Sequence, residues 1–246
     1  MNVAIVVAAG KGTRLGGERP KQFLNLGGVP IVIHTLRQFE RSREVDEVIL
    51  VLPADQTAGF QSLAQQSELK KFSRAVPGGD TRAQSVQRGL ATINRADIVA
   101  VHDGVRPFVT PEEIDRTVLA AKTTGAAILV GPVADTIKAV DSGRILHTFP
   151  RTQLRRALTP QCFRFEILKR AYERLSEFEV NGSEVTDDST LVEQMGVEIL
   201  AVEGSGRNIK ITQAEDLAIA RMLLRQESED RRQNDFNSQV LLTSDF

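Results

Sequence analysis

Two cations beside a glycine-rich loop near the start of the chain form a combination that suits a bound phosphate. The apolar run Val3–Ala8 leads to Gly10 and Gly12, and Arg14 and Lys21 follow. Glycine lets backbone N–H groups approach phosphate oxygens without a Cβ in the way, and the cations neutralise phosphate charge. The pattern predicts a buried strand that ends in a triphosphate loop, although glycine-rich turns after strands also occur for structural reasons alone.

Two better-known phosphate loops do not match this segment. A P-loop needs a glycine five positions before its Gly-Lys pair, where this chain has Ile5. The dinucleotide fingerprint needs a third glycine, and Leu15 stands at that position. The segment is therefore neither a P-loop nor a dinucleotide-binding loop.

Two later clusters could complete an anion site. Residues 78–85 are a turn that leads into a helix, and their amides and side chains could recognise a base or a ribose. A structural turn capped by Asp or Ser explains the same residues. In His102–Pro107, Asp103 is a carboxylate at a strand end, where a divalent cation could bridge it to phosphates. An N-cap or a salt bridge is an equal alternative for Asp103.

The composition limits the kinds of partner. The chain has 246 residues, of which 41% are hydrophobic, which is enough for one α/β domain with one sizeable core. Its 31 basic and 32 acidic residues create no overall field for nucleic acid or membranes, so neither partner is expected. A single cysteine, no spanning apolar segment and no signal peptide predict a cytoplasmic location. The three histidines lack the spacing of zinc ligands.

Strand-like and helix-like segments alternate along the chain, which is typical of a mostly parallel sheet covered on both faces. Thr110-Pro-Glu-Glu113 predicts a helix start with a capping box. Since loops at the carboxyl ends of such strands form the ligand crevice, residues 10–21 and 103–106 are expected to converge there. The expected strands are Val3–Ala8, Glu47–Leu52, Ser73–Val76, Ile98–His102, Ala126–Val130 and Glu198–Val202.

A hairpin and a tail interrupt this alternation. Residues 136–140 and 145–149 flank Asp141-Ser-Gly-Arg144, which predicts a β-hairpin. An isolated hairpin is marginal in water, so it must pack on something, and a second subunit is one candidate. A helix is expected over 213–225, and residues 226–246 are expected to be a poorly ordered terminus or a peripheral helix.

Six clusters, taken in order, resemble the bacterial and plastid 2-C-methyl-D-erythritol 4-phosphate cytidylyltransferase family. The shared motifs are A-A-G-x-G-x-R with P-K-Q, then G-G-D, H-D-x-x-R-P, A-L-T-P-Q, T-D-D and N-I-K, and they run from Val3 to about Arg225. The resemblance implies a single domain over 1–225 with a Rossmann-like, three-layer, mostly parallel sheet of the nucleotide-diphospho-sugar transferase type. A protruding β-hairpin arm, residues 132–157, would mediate a homodimer.

The resemblance also implies that CTP and methylerythritol phosphate react with Mg²⁺ present to give a cytidine diphosphate adduct and pyrophosphate. The attacking phosphate oxygen is already an anion near neutral pH, so catalysis reduces to alignment and charge neutralisation. Arg14 and Lys21 would act at the α-phosphate, and Arg151 and Lys210 would position the second substrate's phosphate. The implied CTP-binding residues are Ala8, Ala9, Gly10, Gly12, Thr13, Gly79, Asp80, Arg82, Ser85, Asp103 and Gly104. The implied substrate-binding residues are Arg106, Thr136, Thr159 and Thr186. Asp103 is also the predicted metal ligand, because of its place at the end of a strand.

Three rival functions remain open. A ribitol-5-phosphate cytidylyltransferase shares the fold and several motifs, but Ala157-Leu158 and Thr186-Asp187-Asp188 resemble the methylerythritol family better. A sugar-1-phosphate nucleotidylyltransferase would lack the later clusters. A module that senses CTP without turnover would not need the four cations that the chain retains.

Overall fold

We describe the fold from a computed structural model, which describes the backbone of residues 1–10, 20–180 and 185–243. Within these ranges the side chains are described except those of residues 178–180 and 231–243. The helices and strands follow one another as β1 Asn2–Val7, β2 Asn25–Leu26, β3 Val29–Pro30, α1 Ile31–Arg41, β4 Glu47–Leu52, α2 Thr57–Gln66, β5 Phe72–Pro77, α3 Arg82–Leu90, β6 Ile98–Asp103, α4 Pro111–Thr124, β7 Ala126–Pro132, β8 Lys138–Asp141, β9 Arg144–Thr148, β10 Arg155–Arg164, α5 Phe165–Glu173, α6 Leu175–Val180, α7 Asp188–Glu193, β11 Leu200–Glu203 and α8 Ala214–Thr243.

The central sheet has seven strands in the order β11-β7-β10-β6-β1-β4-β5, and every neighbouring pair is parallel except those that include β10. Strands β4 and β5 follow β1 on one side of it, and β6 then pairs with β1 on its other side. This reversal makes the carboxyl ends of β1 and β6 the topological switch point, where open α/β sheets bind ligands. The predicted α/β fold with a mostly parallel sheet is confirmed.

Two apolar cores lie on opposite faces of the sheet, because side chains alternate along each strand. On β1, Ala4 and Val6 belong to one core, and Val3 and Ile5 belong to the other. Helices α1, α2 and α4 cover the first face, and α3, α5 and α7 cover the second. The sheet is therefore buried on both sides, as its uninterrupted Val- and Ile-rich strands require.

The predicted start of α4 is confirmed. The Thr110 N–H donates to Glu113 Oε2 at 2.9 Å, and the Glu113 N–H donates to Thr110 Oγ1 at 3.2 Å, which is a complete capping box. Gly125 ends the helix in the left-handed conformation, with φ of 95°. The capping box fixes where the preceding loop, residues 104–109, enters the helix.

The central antiparallel strand β10 is absent from the sequence-based prediction. Its run contains three arginines and Pro160, and a proline argues against a central strand because it has no N–H for the ladder. The structure accommodates the proline in a bulge, where the register against β7 shifts between Ala157 and Gln161. The Thr159–Pro160 peptide bond is cis.

The predicted hairpin is present as β8 and β9, joined through Ser142 and Gly143, which both have positive φ. The segment outside the main sheet covers residues 133–154, since β10 rejoins the sheet at Arg155; we call it the arm. Helix α8 starts where expected but continues to Thr243. It therefore includes most of residues 226–246, for which the sequence allowed either a poorly ordered terminus or a peripheral helix.

Candidate active site

A cleft of about 510 Å³ opens at the carboxyl ends of β1, β5 and β6. It lies at the switch point, and residues from all of the first three sequence clusters line it. The described lining residues are Val7, Ala8, Ala9, Gly10, Lys21, Gln22, Gly79, Asp80, Thr81, Arg82, Ser85, Asp103, Val105 and Lys210. The described ends of the first loop, Gly10 and Lys21, therefore line the same cleft as Asp103 of the second, and Lys210 joins them from far along the chain.

Close backbone approach at two glycines shapes the cleft. A Cβ on Gly78 would lie 2.2 Å from the Cβ of Ala9, and a Cβ on Gly104 would lie 2.7 Å from the Cβ of Ala8. Any side chain at these positions would push the three loops apart. The same turn is braced by Ser85, whose Oγ accepts from the Gly79 N–H at 3.1 Å. Ser85 therefore holds the turn as well as lining the cleft.

Asp103 is the centre of a charged cluster at the floor of the cleft. Its Oδ1 accepts from Arg82 Nε at 3.1 Å, and its Oδ2 accepts from Arg106 Nε at 3.2 Å and Lys210 Nζ at 3.0 Å. Burial alone would raise the pKa of the Asp103 carboxyl, but the three cations outweigh burial and hold it far below its usual range. Three cations around one carboxylate leave an excess of positive charge, which favours an anionic ligand.

The three cations are not held equally. Arg82 and Arg106 each have a second anchor, Asp188 Oδ2 at 2.8 Å for Arg82 and the Asn208 carbonyl at 2.9 Å for Arg106. Their side chains are 22% and 12% exposed, whereas Lys210 is 38% exposed. Lys210 is thus the cation of this cluster that can most readily exchange Asp103 for a phosphate oxygen.

Backbone pairing explains how the chain delivers Lys210. The N–H of Ile211 donates to the Val105 carbonyl at 2.9 Å, so the N-I-K segment runs beside the loop after β6. Asn208, which is fully buried, donates through Nδ2 to the Thr159 carbonyl at 2.9 Å. The two contacts fix the segment from both sides and direct Lys210 towards Asp103.

Lys21 reaches the cleft from a short 3-10 helix, Lys21–Phe23. Gln22, which is almost fully buried, donates through Nε2 to the Ala8 carbonyl at 2.6 Å and so ties this helix to the end of β1. The sequence motif P-K-Q signalled the segment, but the positioning role of Gln22 emerges only from the structure.

Thr159 makes its contacts inside the protein. Its Oγ1 accepts from the Asp103 N–H at 3.2 Å and lies 2.9 Å from His102 Nδ1. Because His102 Nε2 lies 3.2 Å from the Arg106 carbonyl, which can only accept, Nε2 carries the proton and Nδ1 accepts from the Thr159 hydroxyl. In this arrangement Thr159 braces Asp103, and its role as a substrate contact stays a prediction.

The buried His102 predicts a loss of stability in mild acid. Burial lowers the pKa of His102 to about 3, so the folded protein keeps this ring neutral while the unfolded chain protonates it below about pH 6.5. The stabilisation is complete above that pH and is lost as the pH falls, by about 2 kcal/mol at pH 5. Urea unfolding at pH 7 and pH 5 should therefore show a smaller pH effect in His102→Gln than in the wild type. An equal pH effect in both proteins would contradict this assignment.

The remaining predicted site residues either fall outside the described residues or are not among those that line the cleft. Gly12, Thr13 and Arg14 lie outside the described residues. Thr186 is exposed just before Asp187, and Thr136 and Arg151 lie in the arm, where Arg151 Nη1 donates to the Ala134 carbonyl at 2.8 Å. None of these three is among the described residues that line the cleft of this chain.

Within the described ranges, no group of three or more His, Cys, Asp or Glu side chains is placed to hold a metal ion. Both oxygens of Asp103 are paired with cations, so a metal ion bound there would have to displace at least one of them. The geometry thus matches the salt-bridge alternative for Asp103, and its role as a metal ligand stays a prediction. The described helices also include none long and apolar enough to cross a bilayer.

A second depression, of about 640 Å³, lies between Pro20, Phe23, Asp55 and Phe60. Its described lining residues include an aspartate and no cation. Although it is larger than the cleft, it lacks the charge that a phosphate needs.

Sequence comparison matches residues 2–226 to the model of the 2-C-methyl-D-erythritol 4-phosphate cytidylyltransferase family. A relative of that name from Bacillus velezensis is 41% identical over 227 residues, which are 92% of this chain and 97% of the relative. One from Acidobacterium capsulatum is 43% identical over 235 residues, which are 91% of this chain and 97% of the relative.

Structural comparison agrees. The crystal structure of a 4-diphosphocytidyl-2C-methyl-D-erythritol synthase from Anaerococcus prevotii superimposes with a TM-score of 0.81 and 31% identity. The match covers 91% of this chain and 96% of that one.

Proposed function

Because the chain belongs to the 2-C-methyl-D-erythritol 4-phosphate cytidylyltransferase family, we propose that it joins CTP to 2-C-methyl-D-erythritol 4-phosphate. The products are 4-diphosphocytidyl-2-C-methyl-D-erythritol and pyrophosphate. The resemblance inferred from the sequence motifs is confirmed at the level of the family. The cleft at the switch point supports this function, because the cation cluster around Asp103 lies there beside the glycine-rich segments that follow β1 and β5.

The chemistry is an in-line displacement at phosphorus. An oxygen of the substrate phosphate forms a bond to the α-phosphorus of CTP, the bond from that phosphorus to the bridging oxygen breaks, and the electron pair leaves with pyrophosphate. The attacking oxygen is already anionic near neutral pH, so no side chain has to remove a proton. The enzyme's task is to align two polyanions and to neutralise the charge that develops between them.

The cleft residues divide this task. Lys21 lies where it can neutralise charge on the triphosphate, and Lys210 can turn from Asp103 to a phosphate oxygen. Arg82 and Arg106 remain on Asp103 when Lys210 leaves, because each has its second anchor. Asp103 therefore stays fully compensated and does not repel the nucleotide. Because Arg14 is the arginine of the family motif A-A-G-x-G-x-R, we assign it the same function as Lys21.

We propose that Mg²⁺ enters the cleft as part of the CTP complex. A bound Mg²⁺ would neutralise phosphate charge, and it commonly takes its ligands from phosphates and water with one or two carboxylates. Asp103 is the carboxylate at the cleft floor that could supply such a ligand, in exchange for Lys210.

We also propose that the protein acts as a homodimer through the arm. Ile145 and Leu146 on β9 are 66% and 63% exposed, and Val140 on β8 is 60% exposed. A two-stranded ribbon with such a surface is not stable alone. Packing against a twofold mate would bury these side chains and would carry Thr136 and Arg151 to the partner's cleft. The proposed compartment is the cytoplasm, which supplies CTP.

The test of the proposed reaction is pyrophosphate release with 2-C-methyl-D-erythritol 4-phosphate, Mg²⁺ and each of CTP, UTP, ATP and GTP. We expect CTP to support the fastest release and to give the cytidine diphosphate adduct by mass spectrometry. A different preferred nucleotide would contradict the proposal.

A further inference from the structure

A fully buried carboxylate, Asp188, lies behind the cleft without lining it. It is the first residue of α7. Its Oδ2 accepts from Arg82 Nη2 at 2.8 Å, and its Oδ1 accepts a short hydrogen bond from the Tyr172 hydroxyl of α5. Tyr172 is itself 2% exposed. The two residues and Arg82 thus form a continuous chain of contacts that ends at Asp103.

The local structure of α7 does not require the Asp188 carboxylate. The neighbouring Asp187 caps the helix, because its Oδ1 accepts from the Thr190 N–H at 3.0 Å. Asp187 also accepts from Gln161 Nε2 at 2.8 Å, and Gln161 Oε1 accepts the backbone N–H groups of Asp188 and Ser189. The attachment of α7 to β10 is therefore complete without the Asp188 side chain. Because burying an unpaired charge is costly, the contact of Asp188 with Arg82 is the interaction that explains why a carboxylate is buried here.

Arg82 is the link between this chain and the cleft. Its guanidinium joins Asp188 on one side and Asp103 on the other, so the two carboxylates fix its plane. If Asp188 lost its charge, Arg82 would keep one anchor and could rotate towards bound phosphate or solvent. Asp103 would then lose one of its two fixed partners and would hold Lys210 more strongly.

We propose that Asp188 and Tyr172 are positioning residues for the nucleotide, acting through Arg82 to keep the cation cluster in a form that accepts a triphosphate. The inference rests on the proposed function only in taking CTP as the ligand. Neither residue is among the described residues that line the cleft. Asp188 and Tyr172 thereby maintain the difference between the two fixed cations, Arg82 and Arg106, and the exchangeable Lys210.

The test is direct CTP binding in the presence of Mg²⁺ and without the second substrate, measured by calorimetry on the full chain. Asp188→Asn keeps the shape and removes the charge, and we expect it to raise the Kd for CTP by roughly tenfold, the scale for a hydrogen bond to a charged group. Tyr172→Phe removes one hydroxyl and should raise the Kd about threefold. The matched control is Asp115→Asn, which removes a carboxylate bonded to Ser42 Oγ and the Arg43 N–H, away from the cleft, and should leave the Kd unchanged.

A double-mutant cycle separates positioning from general destabilisation. If Asp188 acts through Arg82, the double variant Arg82→Gln with Asp188→Asn should bind CTP no more weakly than Arg82→Gln alone, within about twofold. Independent losses that multiply would overturn the inference, as would a normal Kd in both Asp188→Asn and Tyr172→Phe. If Asp188→Asn does not fold, Tyr172→Phe decides alone. Absence of CTP binding to the wild type would instead contradict the proposed function.

Discussion

Lys21→Ala is expected to lower kcat by roughly 10²–10³, the loss seen when one donor to a developing oxyanion is removed. Lys21 lines the cleft from a helix that Gln22 ties to the end of β1, and the proposed function assigns it to the charge of the triphosphate. The displacement concentrates negative charge around the α-phosphorus, and the reaction has no proton transfer that could substitute for a cation. The same loss is expected for Arg14→Ala.

The measurement is steady-state kinetics with CTP varied at saturating second substrate. The matched control is Lys70→Ala, which removes an exposed lysine that does not line the cleft and should leave kcat unchanged. If Lys21→Ala raised only the KM for CTP and kept kcat near that of the wild type, Lys21 would bind the ground state and would not act in the transition state.

Mixing two inactive variants, Arg151→Ala and Lys21→Ala, is expected to restore activity. Arg151 lies in the arm and is not among the described residues that line the cleft of its own chain, whereas Lys21 lines that cleft. If the arm serves the partner's cleft, a heterodimer has one site with both lesions and one with neither. At equal mixing about half of the dimers are heterodimers with one intact site in two, so recovery should approach about one quarter of the wild-type rate.

The mixing experiment needs proof of subunit exchange, which two affinity tags on the two variants provide. Each variant mixed with itself is the control and should stay inactive. If tagged heterodimers form and no activity returns, Arg151 does not act on the partner's site.

Much of the framework could be predicted from the sequence because the signals are local. The apolar run of β1, the capping box at Thr110 and the Ser142-Gly143 turn each depend on neighbouring residues, and all three are observed. Strand β10 could not be predicted, since its place in the sheet depends on pairing with β6 and β7 and on a bulge that accommodates Pro160. Local patterns do not encode such pairing.

In the candidate active site, too, features that depend on local sequence could be predicted and those that depend on long-range contacts could not. Glycine-rich turns and single cations could be identified from their motifs, whereas the charge network could not. The contact of Arg82 with Asp188 spans 106 residues, and that of Thr159 with His102 spans 57. The sequence left a salt bridge open as one of several roles for Asp103, and only the fold shows three cations meeting there. It also shows why Lys210 differs from the two arginines.

A cleft that transfers a cytidylyl group to 2-C-methyl-D-erythritol 4-phosphate should prefer this substrate to ribitol 5-phosphate. The most direct measurement compares kcat/KM for this substrate and for ribitol 5-phosphate, with CTP and Mg²⁺ held constant and pyrophosphate release followed. We predict a kcat/KM for 2-C-methyl-D-erythritol 4-phosphate that is higher by at least about tenfold. Equal or faster turnover of ribitol 5-phosphate would contradict the assignment of 2-C-methyl-D-erythritol 4-phosphate as the substrate.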